Sequence, residues 1–377
     1  MYWALASSLL IVPRIALAIC TCGYLMTDRQ PENNSIFFTD KLETDFGSMK
    51  DLSQASEWTK QQFNVSAIAG RGTYGKTFLP ENVFLLPEPQ DVQGDVHEPR
   101  GIALRVGSQI TSLNAISAAE VDTSRRDMFW GSYRATMKLS RVSGTCAAFF
   151  WYFNDTQEID MEFLSRQFDG VKKVFPVNLV IHSTLSAKDG YDASKTGTFK
   201  TTNLKFDPTK GFHEYRFDYL PGHVYFYADG ERLGEMKGEN VPSSGGHVIL
   251  QHWSNGNQLW SGGPPSSDAA IVVKSVKAYF NSSDAKKRGD WHNTCRGHGE
   301  KGTVCAVSDT TPAASGQVDH SPHNDSKAGN HETGEENGGH GSRLAKSLTT
   351  ALAPMMAVYT LVMMGPELEF VLKVWWE

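Results

Sequence analysis

From about residue 100 to residue 281 the apolar and polar positions alternate in short runs that stop at Gly, Asn-Asp and Asp-Gly turns. No long stripe with a 3.6-residue period interrupts them, so the segment reads as strands rather than helices. The pattern predicts strands over 131–139, 146–153, 158–164, 177–182, 214–219, 224–227, 248–253 and 270–280, with Asp229-Gly230 as a hairpin turn after the sixth. That many evenly spaced strands predict an antiparallel sandwich. Before residue 100 the pattern is poorer, and Phe46, Trp58, Phe63 and Phe84 are expected to pack onto the same body. There is no internal repeat.

The ends of the chain differ from its middle. Residues 2–19 are apolar and close on Ala16-Leu17-Ala18, a small-x-small signature, so 1–18 is expected to be a secretory signal with maturation near Ile19. Arg14 and Pro13 interrupt the run and no basic residue follows Met1, which keeps a short membrane anchor as the alternative. Asn-x-Ser/Thr triplets at Asn33, Asn64, Asn154, Asn281 and Asn324 agree with secretion. The stretch 282–306 is a Cys-containing extension of a 19–281 domain. From 307 to 343 the chain turns to Ser, Gly, Asn, Asp, Glu and His, too polar to bury the surface that would offset ordering entropy, and is expected to be a disordered linker. His320, His323, His331 and His340 are irregularly spaced in it and read as a solvated tail rather than a metal site. The apolar tail within 344–377 follows small residues and a polar spacer, the arrangement of a glycolipid-anchor signal. Glu367, Glu369, Lys373 and Glu377 beyond the apolar stretch depart from it, but Pro354 and Pro366 bound too few residues for a span of about 20.

Composition narrows the chemistry. The 377 residues carry 36 basic and 42 acidic side chains, a net charge of -6 with no basic stripe, which disfavours nucleic acid. Twenty Phe, 12 Tyr and nine Trp suit strands and stacking surfaces. Five cysteines (Cys20, Cys22, Cys146, Cys295, Cys305) in an oxidising compartment suggest two disulfides and one odd thiol. Cys295 with Cys305 is the local pairing, leaving Cys146 for Cys20 or Cys22. Zinc is disfavoured because no Cys-x-x-Cys occurs.

The informative segment is Glu158-Ile159-Asp160-Met161-Glu162-Phe163. On a strand, Glu158, Asp160 and Glu162 share one face while Ile159, Met161 and Phe163 share the other, and a one-residue slip would bury three carboxylates. The acids must therefore face solvent or a cleft, where like charges repel with no Lys or Arg of the run among them. Such a row suits glycoside hydrolysis: one carboxylate attacks the anomeric carbon, and another protonates the leaving oxygen and later deprotonates the acceptor. Asp160 between them would hold a proton within the cluster and keep the acid's pKa raised. In the run 248–253, Gln251 and Trp253 share a face, and Trp260 follows a Gly/Asn turn. An indole offers a plane to a pyranose and an amide reads its hydroxyls, while a core role is an equal alternative for each Trp. Asn178 and His182 share a face opposite Leu179 and Ile181 and are further candidates to point into the cleft. Trp130 and Trp151 are assigned to the core or to distal subsites.

These residues resemble the active-site strand of glycoside hydrolase family 16, a group of jelly-roll β-glucanases and transglycosylases. The flanks agree: the run 131–139, Gly144-Thr145 with 149–153, Phe212 to Tyr219, and Tyr225 to Gly230 all look like segments of that family. The resemblance covers roughly residues 37 to 281. It implies an all-β, concanavalin A-like antiparallel β-sandwich (jelly roll) with a carbohydrate-binding cleft. It also implies Glu158 as nucleophile, Asp160 as helper, Glu162 as acid/base, retention of configuration, and neither metal nor cofactor in the chemistry. For Trp253 and Trp260 it favours the cleft.

One departure bears on substrate. Many mixed-linkage glucan hydrolases of the family have Trp-Asp before the first glutamate, and this chain has Thr156-Gln157. The paired-cysteine opening and the tail look more like fungal-type cell-wall members. The expected partner is a β-glucan, with chitin as a further acceptor, on a monomeric, secreted or cell-surface protein held to the membrane by its C-terminal anchor. A transglycosylase would use the same residues. A lectin-like module would share the fold but has no reason to keep the acid row, and a purely structural surface protein leaves the row unexplained.

Overall fold

A computed structural model describes residues 20–27, 35–86, 100–295 and 304–307. The expected signal, the linker beyond Val307 and the apolar tail lie outside the described residues, as do Asn33 and Asn324. Chain contacts divide the protein after Val318, and Asp319–Glu377 likewise lies outside them.

Two large sheets form the body. The nine-stranded sheet runs, edge to edge, Phe199–Asn203, Pro176–His182, Gln157–Leu164, Cys146–Asn154, His247–Trp253, Ala115–Thr123, Gly75–Phe78 and Phe63–Val65, with Trp58–Lys60 also paired to Ala115–Thr123. The eight-stranded sheet runs Glu231–Lys237, His223–Ala228, His213–Leu220, Met128–Lys138, Ala269–Ser282, Ile102–Val106 and Val83–Leu85, with Asp40–Asp45 also on Ala269–Ser282. Neighbours are antiparallel except Gly75–Phe78, which runs parallel to Ala115–Thr123. Every strand expected from the alternation is present within two or three residues at each end. The fold is thus the antiparallel jelly-roll sandwich. Strands the pattern did not show, among them Ala115–Thr123 and Ile102–Val106, are short or rich in Ala.

Aromatic pairs hold the sheets together. Phe149 lies 4.9 Å from Phe217, Trp151 4.9 Å from Tyr219 and Phe163 4.6 Å from Tyr215, each pair joining one sheet to the other. These rings, with Ile159, Met161, Leu179 and Ile181, are sealed from solvent, and burying each such side chain stabilises the fold by roughly 1.5–3 kcal/mol. Trp151 belongs to this core, as do Phe46 and Trp58. Phe63 packs on a smaller cluster.

The cysteines pair differently from the local expectation. Cys20 joins Cys305 and Cys22 joins Cys295, while Cys146 is a free, buried thiol. Register is the reason: Gly23–Thr27 pairs in parallel with Val304–Val307, placing Tyr24 opposite Cys305, and the Ala285–Cys295 helix sets Trp291 Nε1 2.9 Å from the Cys22 carbonyl. With Ser35–Phe38 these strands form a third, three-stranded sheet. It buries Met26 and Phe38 with Tyr279 of the eight-stranded sheet, and beneath it Arg216 and Asp218 form a buried ion pair. Met26 Sδ accepts from Arg134 Nη2 at 3.1 Å.

The two cross-links close loops of 285 and 273 residues that differ by only 12. Losing one leaves the other to restrain nearly the same ring. Chain-entropy reasoning then gives about 3 kcal/mol for Cys22→Ser alone and about 5 kcal/mol more when Cys20→Ser is added. Urea unfolding checks this, and equal successive losses would contradict the nested arrangement.

Candidate functional site

The strand Gln157–Leu164 sets the site. Ile159, Met161 and Phe163 enter the core, so Glu158, Asp160 and Glu162 stand on the opposite, open face of the nine-stranded sheet. Across one neighbour, Tyr152 lies opposite Glu158, Phe150 opposite Asp160 and Ala148 opposite Glu162. Across the other, His182 lies opposite Glu158 and Asn178 opposite Glu162. The same row of pairings continues outward from Ala148 to Gln251 and from Gln251 to Glu120. Gln251, Asn178 and His182, expected on this face, are therefore all gathered around the acids.

Burial governs their protonation. It raises Glu158 to about 7, against a hydrogen bond from Asp160 that lowers it and the charge of Glu162 that raises it again. Asp160 is pushed well above the usual carboxylate range by burial, then by the charge of Glu158 and its hydrogen bond with that residue. Asp160 thus keeps a proton and donates it to Glu158. Glu162 is also raised by burial, but Cys146 and Trp260 donate to it and the charges of Lys76 and Arg71 pull it back. Its Oε1 accepts from Cys146 Sγ at 3.3 Å. His182 Nε2 stands 4.0 Å from Asp160 Oδ2, and burial lowers this imidazole to about 4, so it is neutral at pH 7. Donor atoms of Glu158, Asp160 and His182 lie within 4.8 Å of one another, the one such group of potential metal ligands among the described residues.

Positive charge reaches the row from elsewhere in the chain, which corrects the expectation of an uncompensated cluster. Lys76, on Gly75–Phe78, holds its ammonium 4.4 Å from the Trp253 ring centroid and interacts with Glu120 and Glu162. The same contact alters the reading of Trp253. That indole is buried against Phe78 and Cys146 with Lys76 over its ring, so the plane expected to meet a pyranose is already occupied. Trp260 is half-buried, and its backbone carbonyl accepts from Arg166. Asn178 Oδ1 accepts from Thr201 at 2.8 Å, and its buried Nδ2 has no partner among the described residues.

Glu120 and Asp122 were not anticipated. They alternate on Ala115–Thr123, and the register places both on the open face, opposite Gln251 and Ile249. Burial raises Glu120 to about 8, followed by the charge of Asp122, while Gln251 Nε2 donates to it. Asp122 lies 3.5 Å from both His247 Nε2 and Arg126 Nη2. The Glu-Val-Asp spacing was the available signal, a shorter copy of the alternation that revealed the main row.

Residues 96–271 match glycosyl hydrolases family 16. A beta-glucanase of Paenibacillus macerans is 32% identical over 165 residues, 42% of this chain and 62% of the relative. One of Paenibacillus polymyxa is 31% identical over 139 residues, 35% of this chain and 52% of the relative. The chain thus spans between half and two thirds of the length of these relatives. Among solved structures, a Bacillus licheniformis beta-glucanase gives a TM-score of 0.47 at 18% identity, covering 63% of this chain and 97% of that one. A Crh5 transglycosylase gives 0.45 at 18% identity, covering 64% and 84%.

Folding binds protons at Glu120 and Glu158, whose native values of about 8 and about 7 exceed the ordinary 4.5. Their contribution to stability is complete below about pH 4.5 and is lost as pH rises towards 8. His182 acts oppositely: held near 4 rather than 6.5, it takes stability away as pH falls through that window. Glu120→Gln is expected to flatten the decline between pH 5 and 8 when unfolding midpoints are plotted against pH. An unchanged slope would show that Glu120 carries no raised pKa.

Proposed function

We propose, from the premise that residues 96–271 form a glycosyl hydrolase family 16 domain, that the protein is a retaining glycosidase acting on β-linked glucan. The observation that carries this reading is the row Glu158, Asp160 and Glu162, held on an open face by the burial of Ile159, Met161 and Phe163. The beta-glucanases similar to this chain support the choice of substrate.

Three coupled carboxyls holding two protons form the working state, with Glu158 ionised and Asp160 and Glu162 protonated. Glu158 attacks the anomeric carbon as its bond to the leaving oxygen breaks, and Glu162 gives its proton to that oxygen. Asp160 donates a hydrogen bond to Glu158, which orients the nucleophile and fixes which carboxyl is charged. The glycosyl ester then reacts with water: Glu162 takes the proton, a new bond forms to the anomeric carbon, and Glu158 leaves with its electron pair. Configuration is retained because two inversions occur. Gln251, Asn178 and Trp260 surround the row with amide and indole groups suited to sugar hydroxyls and ring faces. The N-terminal apolar run and the C-terminal tail support action outside the cell, at the wall, by a membrane-anchored protein. Chitin is a candidate acceptor if a sugar hydroxyl replaces water.

Product analysis tests the reading. Incubated with oligosaccharides of β-1,3-glucan, β-1,3-1,4-glucan and chitin, the chain should shorten one glucan, and Glu158→Gln should lose at least about a thousandfold in rate. Products longer than the input would establish transglycosylation, and turnover unaffected by Glu158→Gln would end the assignment. Cys146→Ala removes a donor that favours ionised Glu162, so the alkaline limb of the pH–rate profile should move to higher pH. A limb that stays put would separate the thiol from the acid/base.

A further inference from the structure

Two loops rooted far apart on the nine-stranded sheet meet at a contact the reaction above does not use. Residues 66–74 precede Gly75–Phe78, and residues 183–198 follow Pro176–His182. Four strands lie between those two: Gln157–Leu164, Cys146–Asn154, His247–Trp253 and Ala115–Thr123. At roughly 4.8 Å per strand the roots stand about 24 Å apart. The register separates them lengthwise as well, because 183–198 departs beside Glu158 while 66–74 departs beyond Trp253 and Cys146, at the Glu162 end.

Nevertheless, Arg71 Nη1 donates to the Gly190 carbonyl at 3.0 Å, and the Arg71 guanidinium lies 5.2 Å from the Tyr191 ring centroid. The span runs diagonally across the acid row. Tyr191 also lies 6.2 Å from the His182 ring, and the charge of Arg71 acts on both Glu162 and His182. The Arg71 side is fastened from below. Asn255 Nδ2 donates to the Gly70 carbonyl at 2.6 Å, Asn257 Nδ2 to the Arg71 carbonyl at 3.0 Å, and a Cβ on Gly72 would come within 2.3 Å of the Asn255 oxygen. Arg71 and Tyr191 both have left-handed backbone, φ +54° and +65°, a conformation unfavourable for residues with a Cβ. The two residues that touch are thus both held in disfavoured conformations.

We propose that the Arg71–Tyr191 contact bridges the cleft overhead, that the glycan passes beneath it, and that Arg71 is a specificity-determining residue selecting unbranched chains. This rests on the glucan reading of the site. A branch sugar projecting from the backbone meets the guanidinium and the phenol, whereas a linear chain slides between the bridge and the acid row.

Calorimetry on the Glu158→Gln protein tests it without turnover, using a linear β-1,3-glucan oligosaccharide and the same oligosaccharide carrying single glucosyl branches. The linear chain should bind at least tenfold more tightly, and adding Arg71→Ala should bring the two within about twofold of each other. Arg71→Lys, which keeps the charge and shortens the reach, should give an intermediate ratio. Equal binding of both oligosaccharides before Arg71 is changed, or a ratio that Arg71→Ala leaves intact, overturns the bridge. Loss of both ligands on Arg71→Ala also overturns it, since Arg71 would then be a direct substrate ligand. If neither oligosaccharide binds the Glu158→Gln protein, β-1,3-glucan is not the ligand of this cleft and the bridge as a selector of its unbranched chains fails, while turnover of β-1,3-1,4-glucan by the unaltered protein would still uphold the glucan reading.

Discussion

Burial of Ile159, Met161 and Phe163 between two sheets is the constraint on which the rest depends. A strand has only two faces, so sealing one in an aromatic core commits the other three side chains to the opposite side whatever their mutual repulsion. The cost is real: burial raises all three carboxyls, and like charge adds to it at Glu158 and Asp160. The core contacts of Phe163 with Tyr215, and of neighbouring Phe149 with Phe217, hold the strand in the one register that keeps the acids gathered. Packing energy from one side of a single strand thereby maintains an unfavourable electrostatic arrangement on the other, which is the usual condition of a reactive site.

How far this was legible follows from the range of each interaction. Alternation is local, so the acid row, its face, and the placement of Asn178, His182 and Gln251 could be read from strings of seven or eight residues. What escaped was assembled over long separations. Lys76 meets Trp253 and Glu162 because Gly75–Phe78 pairs with Ala115–Thr123, a parallel register no short pattern announces. The row read from the strand alone as uncompensated has the charge of that lysine acting on Glu162, and the lysine also lies over the indole assigned to sugar. Glu120 and Asp122 sat in an Ala-rich run whose weak apolar contrast hid the strand carrying them.

Cysteine pairing shows the same limit from another direction. Closeness in sequence favoured Cys295 with Cys305, but pairing of Gly23–Thr27 with Val304–Val307 decided otherwise. Backbone hydrogen bonds between the first and last described strands placed each thiol near a partner more than 270 residues away. Cys146, left without a disulfide, lies against Glu162, where the thiol is a hydrogen-bond donor.

That pairing also changes the molecule's topology. From Cys22 to Cys295 the polypeptide is a covalent ring, closed again outside by Cys20 and Cys305. A protease that cuts any one peptide bond inside this ring opens it without dividing it, and both halves of the acid-lined sheet stay tethered to each other. Separation into fragments requires a second cut, or an electron donor that reaches both disulfides.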